Sequence, residues 1–160
     1  MVFTGPPLDE SLDETCVQRL LEFEGRRVVC GGTTGNIVAS YLGQVIDTDL
    51  KTITREVPPI GKLDGIDLLT EGIITISRAM DDLHECHGEE SALPAQGDGA
   101  VLLSRELLRA DSIFFLVGQR INEFYQSPLL PKNLSLRRKL IEEIANFLTE
   151  HHKDVRIEYV

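Results

Sequence analysis

The residues with the most chemical potential in this sequence gather at one glycine-rich turn. Gly31, Gly32, Thr33, Thr34, Gly35 and Asn36 follow the apolar run Val28 to Cys30 and precede a helical pattern at Ile37, Val38, Tyr41 and Leu42. A strand that turns through glycines into a helix start offers unpaired N–H groups and the positive end of the helix dipole to an anion. The glycines let backbone approach the ligand, the threonines add hydroxyls, and Asn36 adds an amide. The turn lacks the Gly-Lys-Ser/Thr ending of a nucleotide phosphate loop and the full dinucleotide fingerprint. A plain strand-to-helix corner, with the threonines as caps, is the other reading of the same residues.

Groups elsewhere in the chain are expected on the same edge. In a parallel sheet the loops after the strands gather at one end, where ligands bind in the crevice at which the strand order reverses. "GQRIN", Gly118 to Asn122, follows the strongest apolar run. Arg120 would pair with a phosphate or carboxylate there, and Gln119 and Asn122 would bind hydroxyls. "TEG", 70 to 72, reads as the opening of a helix, so Glu71 would project into the same crevice. The bland alternatives are a solvated loop charge for Arg120 and, for Glu71, an acid that suits the first turn of a helix.

Other chemistry-bearing residues lack a pattern. His84, Cys86 and His87 lie close together, but a structural zinc site needs four regularly spaced ligands, and no second ligand cluster follows. His151 and His152 suit the negative end of the last helix. Asp64, Asp67 and Asp98 occur in Asp-Gly turns or their neighbours, and turn chemistry explains them better than a metal pair does. Asp98 also fits as a helix cap. No cofactor is expected, and no nucleophile–base pair has a local signature. Cys16 and Cys30 fall in apolar stretches and read as reduced core residues.

Apolar spacing supplies the elements that would position these groups. Leu12, Cys16, Val17, Leu20 and Leu21 share one helical face after a cap at Asp9 or Ser11, with Gly25 as the stop. Gly43 closes the helix after the glycine turn, and Val45 and Ile46 are a candidate short strand. Residues 47 to 67 are turn-rich. Thr70 would cap a helix over Glu71 to Glu85, residues 87 to 99 form a polar excursion, and Val101 to Leu108 form another helix. "SIFFLV", Ser112 to Val117, has no polar alternation and reads as a strand buried on both faces. A helix from Ser135, striped by Leu140, Ile141, Ile144 and Leu148, leads to a last strand at Val155, Ile157 and Tyr159. The order predicts one α/β domain over residues 1–160, a layered α/β/α fold with a small, mainly parallel sheet.

Composition sets the outer limits. The chain has 160 residues, 42% of them apolar, and a net charge of −10. That charge argues against a nucleic-acid partner, which needs surplus Lys and Arg. The apolar runs are too short for a membrane span and no secretory signal is visible, so a cytoplasmic location is the default expectation.

Four ordered segments carry a resemblance: "TGPP" at 4–7, "VVCGGTTGNIVASYLG" at 28–43, "VPPIGKLDGIDLLTEGIITIS" at 57–77 and "FLVGQRIN" at 115–122. Together they resemble the region downstream of the catalytic domain in bacterial stage II sporulation protein E-type serine/threonine phosphatases, which are metal-dependent. The resemblance implies a non-catalytic accessory domain, with the catalytic domain and its metal-binding aspartates lying before "TGPP" and having no match here. The family pattern continues with Pro-Ala-His after the Asn of the last motif, where this chain has Glu123, Phe124 and Tyr125. The leading expectation is a ligand-sensing regulatory domain that binds a small phosphorylated anion at the glycine turn and partners a phosphatase catalytic domain or a related protein. A second expectation is a sugar-phosphate enzyme or sensor, because "GGTT" after a strand also resembles the phosphosugar turn of sugar isomerases. Glu71 would then be the base. A third is a protein-interaction domain, for which a homodimer is one arrangement.

Overall fold

The computed structural model describes residues 1–120 and 131–160. One seven-stranded sheet runs through it, in the order β3-β4-β5-β2-β1-β6-β7. The parallel strands are β1 (Val2–Thr4), β2 (Val28–Cys30), β5 (Leu68–Thr70), β6 (Ser112–Val117) and β7 (Asp154–Tyr159), and β3 (Asp47–Asp49) and β4 (Ile60–Lys62) form an antiparallel edge. The helices are α1 (Asp13–Leu21), α2 (Gly32–Leu42), α3 (Ile73–Glu85), α4 (Gly99–Arg109) and α5 (Pro131–Glu150). This is the layered α/β fold expected from the sequence.

Strand alternation sorts the core into two halves. Phe3, Val29, Leu69 and Leu116 face α1 and α2, packing on Cys16, Val17, Leu20 and Val38. Val2, Val28, Cys30, Leu68, Phe115 and Val117 face α3, α4 and α5, packing on Ile76, Leu83, Leu103, Ile141 and Ile144. Both faces of these strands are covered, which is why they read as unbroken apolar runs rather than alternating ones.

The connections fix where a ligand could sit. From β1 the chain steps outward to β2 and β5, then returns to the other side of β1 as β6 and β7. The order reverses between β1 and β6, the crevice position of doubly wound sheets. The four strand ends at that edge are in register: Thr4 pairs with Cys30 and with Val117, and Cys30 pairs with Thr70.

Several local readings change. Thr70 does not cap α3. It ends β5, its hydroxyl donates to the Glu71 carbonyl, and Gly72 precedes the first helical turn. The short strand is Asp47–Asp49 rather than Val45 and Ile46, and Val45 is exposed. β4 crosses the turn-rich segment where a Cβ on Gly61 would stand 2.7 Å from both Ile46 and Leu69, so glycine lets this strand run close against them. The first helix stops at Leu21, before Gly25, and the last begins at Pro131, before Ser135. Gly43 closes α2 in the left-handed conformation (φ 65°), and Asp98 caps α4 by accepting from the Ala100 and Val101 amides. Among the described residues no helix is long and apolar enough to cross a membrane.

Candidate functional site at the carboxyl edge of the sheet

The glycine turn is built as a helix start. Gly31 has φ 130° and donates its N–H to the Thr70 carbonyl at 2.9 Å, which ties the turn to β5. Gly35 N–H closes the first turn on the Gly31 carbonyl at 2.8 Å. Thr34 is 1% exposed, and among the described residues its hydroxyl has no hydrogen-bond partner; it stands 3.1 Å from where a Gly31 Cβ would be. Thr33 is partly exposed, and Asn36 faces solvent.

Glu71 reaches this turn from β5. A Cβ on Gly32 would meet its two carboxylate oxygens at 3.2 and 3.4 Å. The acid therefore lies against the start of α2, where the dipole favours negative charge. The structure thus brings the glycine turn and Glu71 together, although Glu71 sits ahead of α3 rather than inside it.

Arg120 is placed differently from its expected role as counter-charge. β1 separates β2 from β6, so the loops carrying Gly32 and Arg120 leave the sheet about two strand spacings, or ~10 Å, apart. The guanidinium turns to the start of α1. It donates to both Asp13 oxygens at 3.0 and 3.2 Å and lies 3.4 Å from Glu10. Its side chain is 20% exposed, and the charge is already answered. The Gln119 amide donates to Val160 and the Arg120 amide to Pro6, while Gly118 donates to Thr4. These bonds lay the loop after β6 directly over the loop after β1. A Cβ on Gly118 would collide with the carbonyl oxygens of Gly5 and Pro6. Backbone thus fills the crevice between β1 and β6. Asn122 lies outside the described residues.

Sequence reading missed Arg137. On α5, it crosses to the end of β1, where its guanidinium donates to the Gly118 carbonyl at 3.2 Å and a Cβ on Gly5 would collide with it. Among the described residues no carboxylate pairs with it. Burial pulls it below the ordinary arginine value, yet arginine at neutral pH stays charged. Thr4, on the same end of β1, is fully buried, and among the described residues its hydroxyl has no partner. Because Thr4 pairs with Cys30, Gly5 and Gly31 follow on adjacent strands, about 5 Å apart. Arg137 thus stands on the β6 side of Gly5, and the start of α2 follows β2 on the other side of β1. "LRRKL" around it reads as the charged side of an amphipathic helix, so no local signal marked it.

The remaining candidates do not converge. Asp67 accepts from Arg26 and the Arg27 amide, and Asp64 donates its N–H to Gln44. His84 packs on Phe147, and the Cys86 thiol donates to the Leu83 carbonyl. Among the described residues no three His, Cys, Asp or Glu side chains are arranged to hold a metal. Cys16, Cys30 and Cys86 are all buried and free, and burial pushes the Cys30 thiol up to about 11.

Comparison with known proteins adds no relative: no family model matches the chain, and neither a curated protein nor a solved structure does.

Proposed function

We propose that this domain binds a small phosphorylated anion at the carboxyl ends of β1 and β2 and works as a sensor for it. The observation that carries the reading is Arg137: a half-buried guanidinium with no carboxylate among the described residues, at the end of β1, one strand from a glycine-built helix start and near two buried threonines. A phosphate there would meet the guanidinium fork on one side and the N–H groups of α2 on the other. Glu71 sets the terms of entry, because its carboxylate already lies at the helix start. A ligand would displace it or lend it a hydrogen-bond donor, and a sugar phosphate carries both the anion and the hydroxyls for that. The resemblance to the phosphatase accessory region supplies the output: occupancy would be read by a catalytic domain that dephosphorylates serine or threonine.

A thermal-shift screen against inorganic phosphate, nucleotides and sugar phosphates tests the reading. A ligand at a hundred times its Kd adds about 2.7 kcal/mol. The expected hit disappears in Arg137→Met and survives in Arg120→Met. In Glu71→Gln, anion affinity rises, because a negative charge leaves the helix start. A catalysed reaction of the bound sugar phosphate that Glu71→Gln abolishes would replace the sensor with an enzyme. A panel that shifts nothing would leave the glycine turn a structural corner.

A further inference from the structure

A cleft lies away from this edge, between α3, the start of α4 and the loops at 54–56 and 92–98. It encloses about 630 Å³. Four carboxylates line it, Glu56, Asp82, Glu85 and Asp98, against two guanidiniums, Arg55 and Arg78. Most of these groups are spoken for. Asp98 caps α4 and accepts from the Thr54 hydroxyl. Arg78 Nε lies 3.3 Å from Asp82 Oδ1 and its NH1 lies 3.7 Å from Glu85.

Asp82 Oδ2 is the exception. The residue is 7% exposed, and among the described residues this oxygen has no hydrogen-bond partner. A buried carboxylate oxygen left unpartnered is costly, so a site holding one gains when a donor arrives. The surroundings specify that donor. α3 ends at Glu85, so the negative end of its dipole adds to the excess of carboxylates. Leu93, Val101 and Cys86 make the wall apolar. No three-ligand metal arrangement exists among the described residues, which favours an organic cation over a metal ion.

We infer that this cleft binds a small organic cation with an apolar body, an alkylamine or alkylguanidine, whose head group donates to the Asp82 carboxylate once rotation about Cβ–Cγ brings Oδ2 to the cleft, while its stem lies on Leu93 and Val101. The charged groups around Asp82 agree with that polarity. Burial raises the Asp82 carboxyl to about 6; Arg78 opposes the rise, and Asp98, Glu85 and Asp81 add to it. An incoming cation reverses the same balance by favouring the carboxylate. This site is independent of the anion site.

Calorimetric titration of the 160-residue chain with n-butylammonium and n-butylguanidinium at pH 7.5 tests it. Saturable binding is expected, at least tenfold weaker in Asp82→Asn, weaker in Glu85→Gln and unchanged in Arg137→Met. Affinity should fall about tenfold per pH unit below pH 6, as Asp82 takes up the proton that competes with the cation. A lysine tripeptide with blocked ends distinguishes the source: tighter binding than the free amines assigns the cation to a protein side chain, and weaker binding to a metabolite. Circular dichroism establishes that the variants are folded. Binding weaker than about 10 mM by every probe overturns the inference. So does amine binding that Asp82→Asn leaves intact, or Asp82-dependent binding of Mg²⁺ alone.

Discussion

Two arginines meet the same end of the sheet from opposite faces, and they have opposite surroundings. On the α1 side, Arg120 is held by Asp13 and Glu10. On the α5 side, Arg137 donates to one backbone carbonyl, and no carboxylate among the described residues answers it. Both approach Gly118, whose close contact with Gly5 and Pro6 seals the crevice between the strands. What differs is the electrostatic closure. An arginine whose charge is cancelled within the fold fastens a helix to a loop. The other is met, among the described residues, by a backbone carbonyl, which is what the proposed anion site requires.

The largest expected effect falls on the seal the two corners share. Gly118→Ala places a methyl group against two carbonyl oxygens, neither of which is the far end of a flexible side chain. A loss of about 3 kcal/mol or more is expected in urea unfolding. A loss under about 1 kcal/mol would show that the two loops separate easily.

The arginines themselves give the next effects, and these should diverge. Arg120→Met leaves the partly buried Asp13 carboxylate without its fork and should cost about 1–2 kcal/mol after allowance for solvent screening. Arg137→Met removes a desolvated charge, and unfolding stability should change by less than about 1 kcal/mol, in either direction. Phosphate affinity should rank the two in the reverse order, falling at least tenfold for Arg137→Met alone. Equal losses of affinity would break the comparison.

Arg78 and Asp82 sharpen it as a third case, a pair in which the carboxylate is the more deeply buried partner. The Asp82 carboxyl rises in the folded chain from 3.8 to about 6, so the native state holds the extra proton between those values. Stability is therefore lost as pH rises from about 4 to about 6 and stays lower above it. Asp82→Asn should raise stability at pH 7 by about 1 kcal/mol, with the gain fading below pH 4. A gain that persists at pH 3 would assign the effect to something other than this carboxyl.

The smallest effect is a rate. Cys30, beside Thr4, is buried with its thiol raised to about 11, so thiol reagents should label it only when this edge opens. Saturating phosphate should slow that labelling in the unaltered chain and leave it unchanged in Arg137→Met.

The sequence shows some of these features and hides others for identifiable reasons. α1, α2, α4 and most of α5 are legible because each buries one stripe of a 3.6-residue period, and β6 because six apolar residues leave no other reading. β1, β4 and β5 have three residues each and escape, whereas β2, equally short, is marked by the glycine turn after its apolar run. β5 also hides behind Thr70, a residue that suits a helix cap and a strand end equally well. At the site, the glycine turn is legible because its chemistry is local. Its relation to Arg137 depends on α5 crossing back over β1. Arg120 looked free in the sequence because Asp13, its partner, lies 107 positions away.

That β1 is central in the sheet yet first in the chain has a kinetic consequence. Val2 must find Phe115, and its edge is completed only when β6 arrives and α5 folds over it. Pairings at such separation are slow, and a growing chain makes the β1–β2–β5 half first. The glycine turn is therefore made before Arg137 is. The proposed anion, needing both, would hold the finished assembly alone, draw the last docking step toward completion and keep newly made chains from reopening.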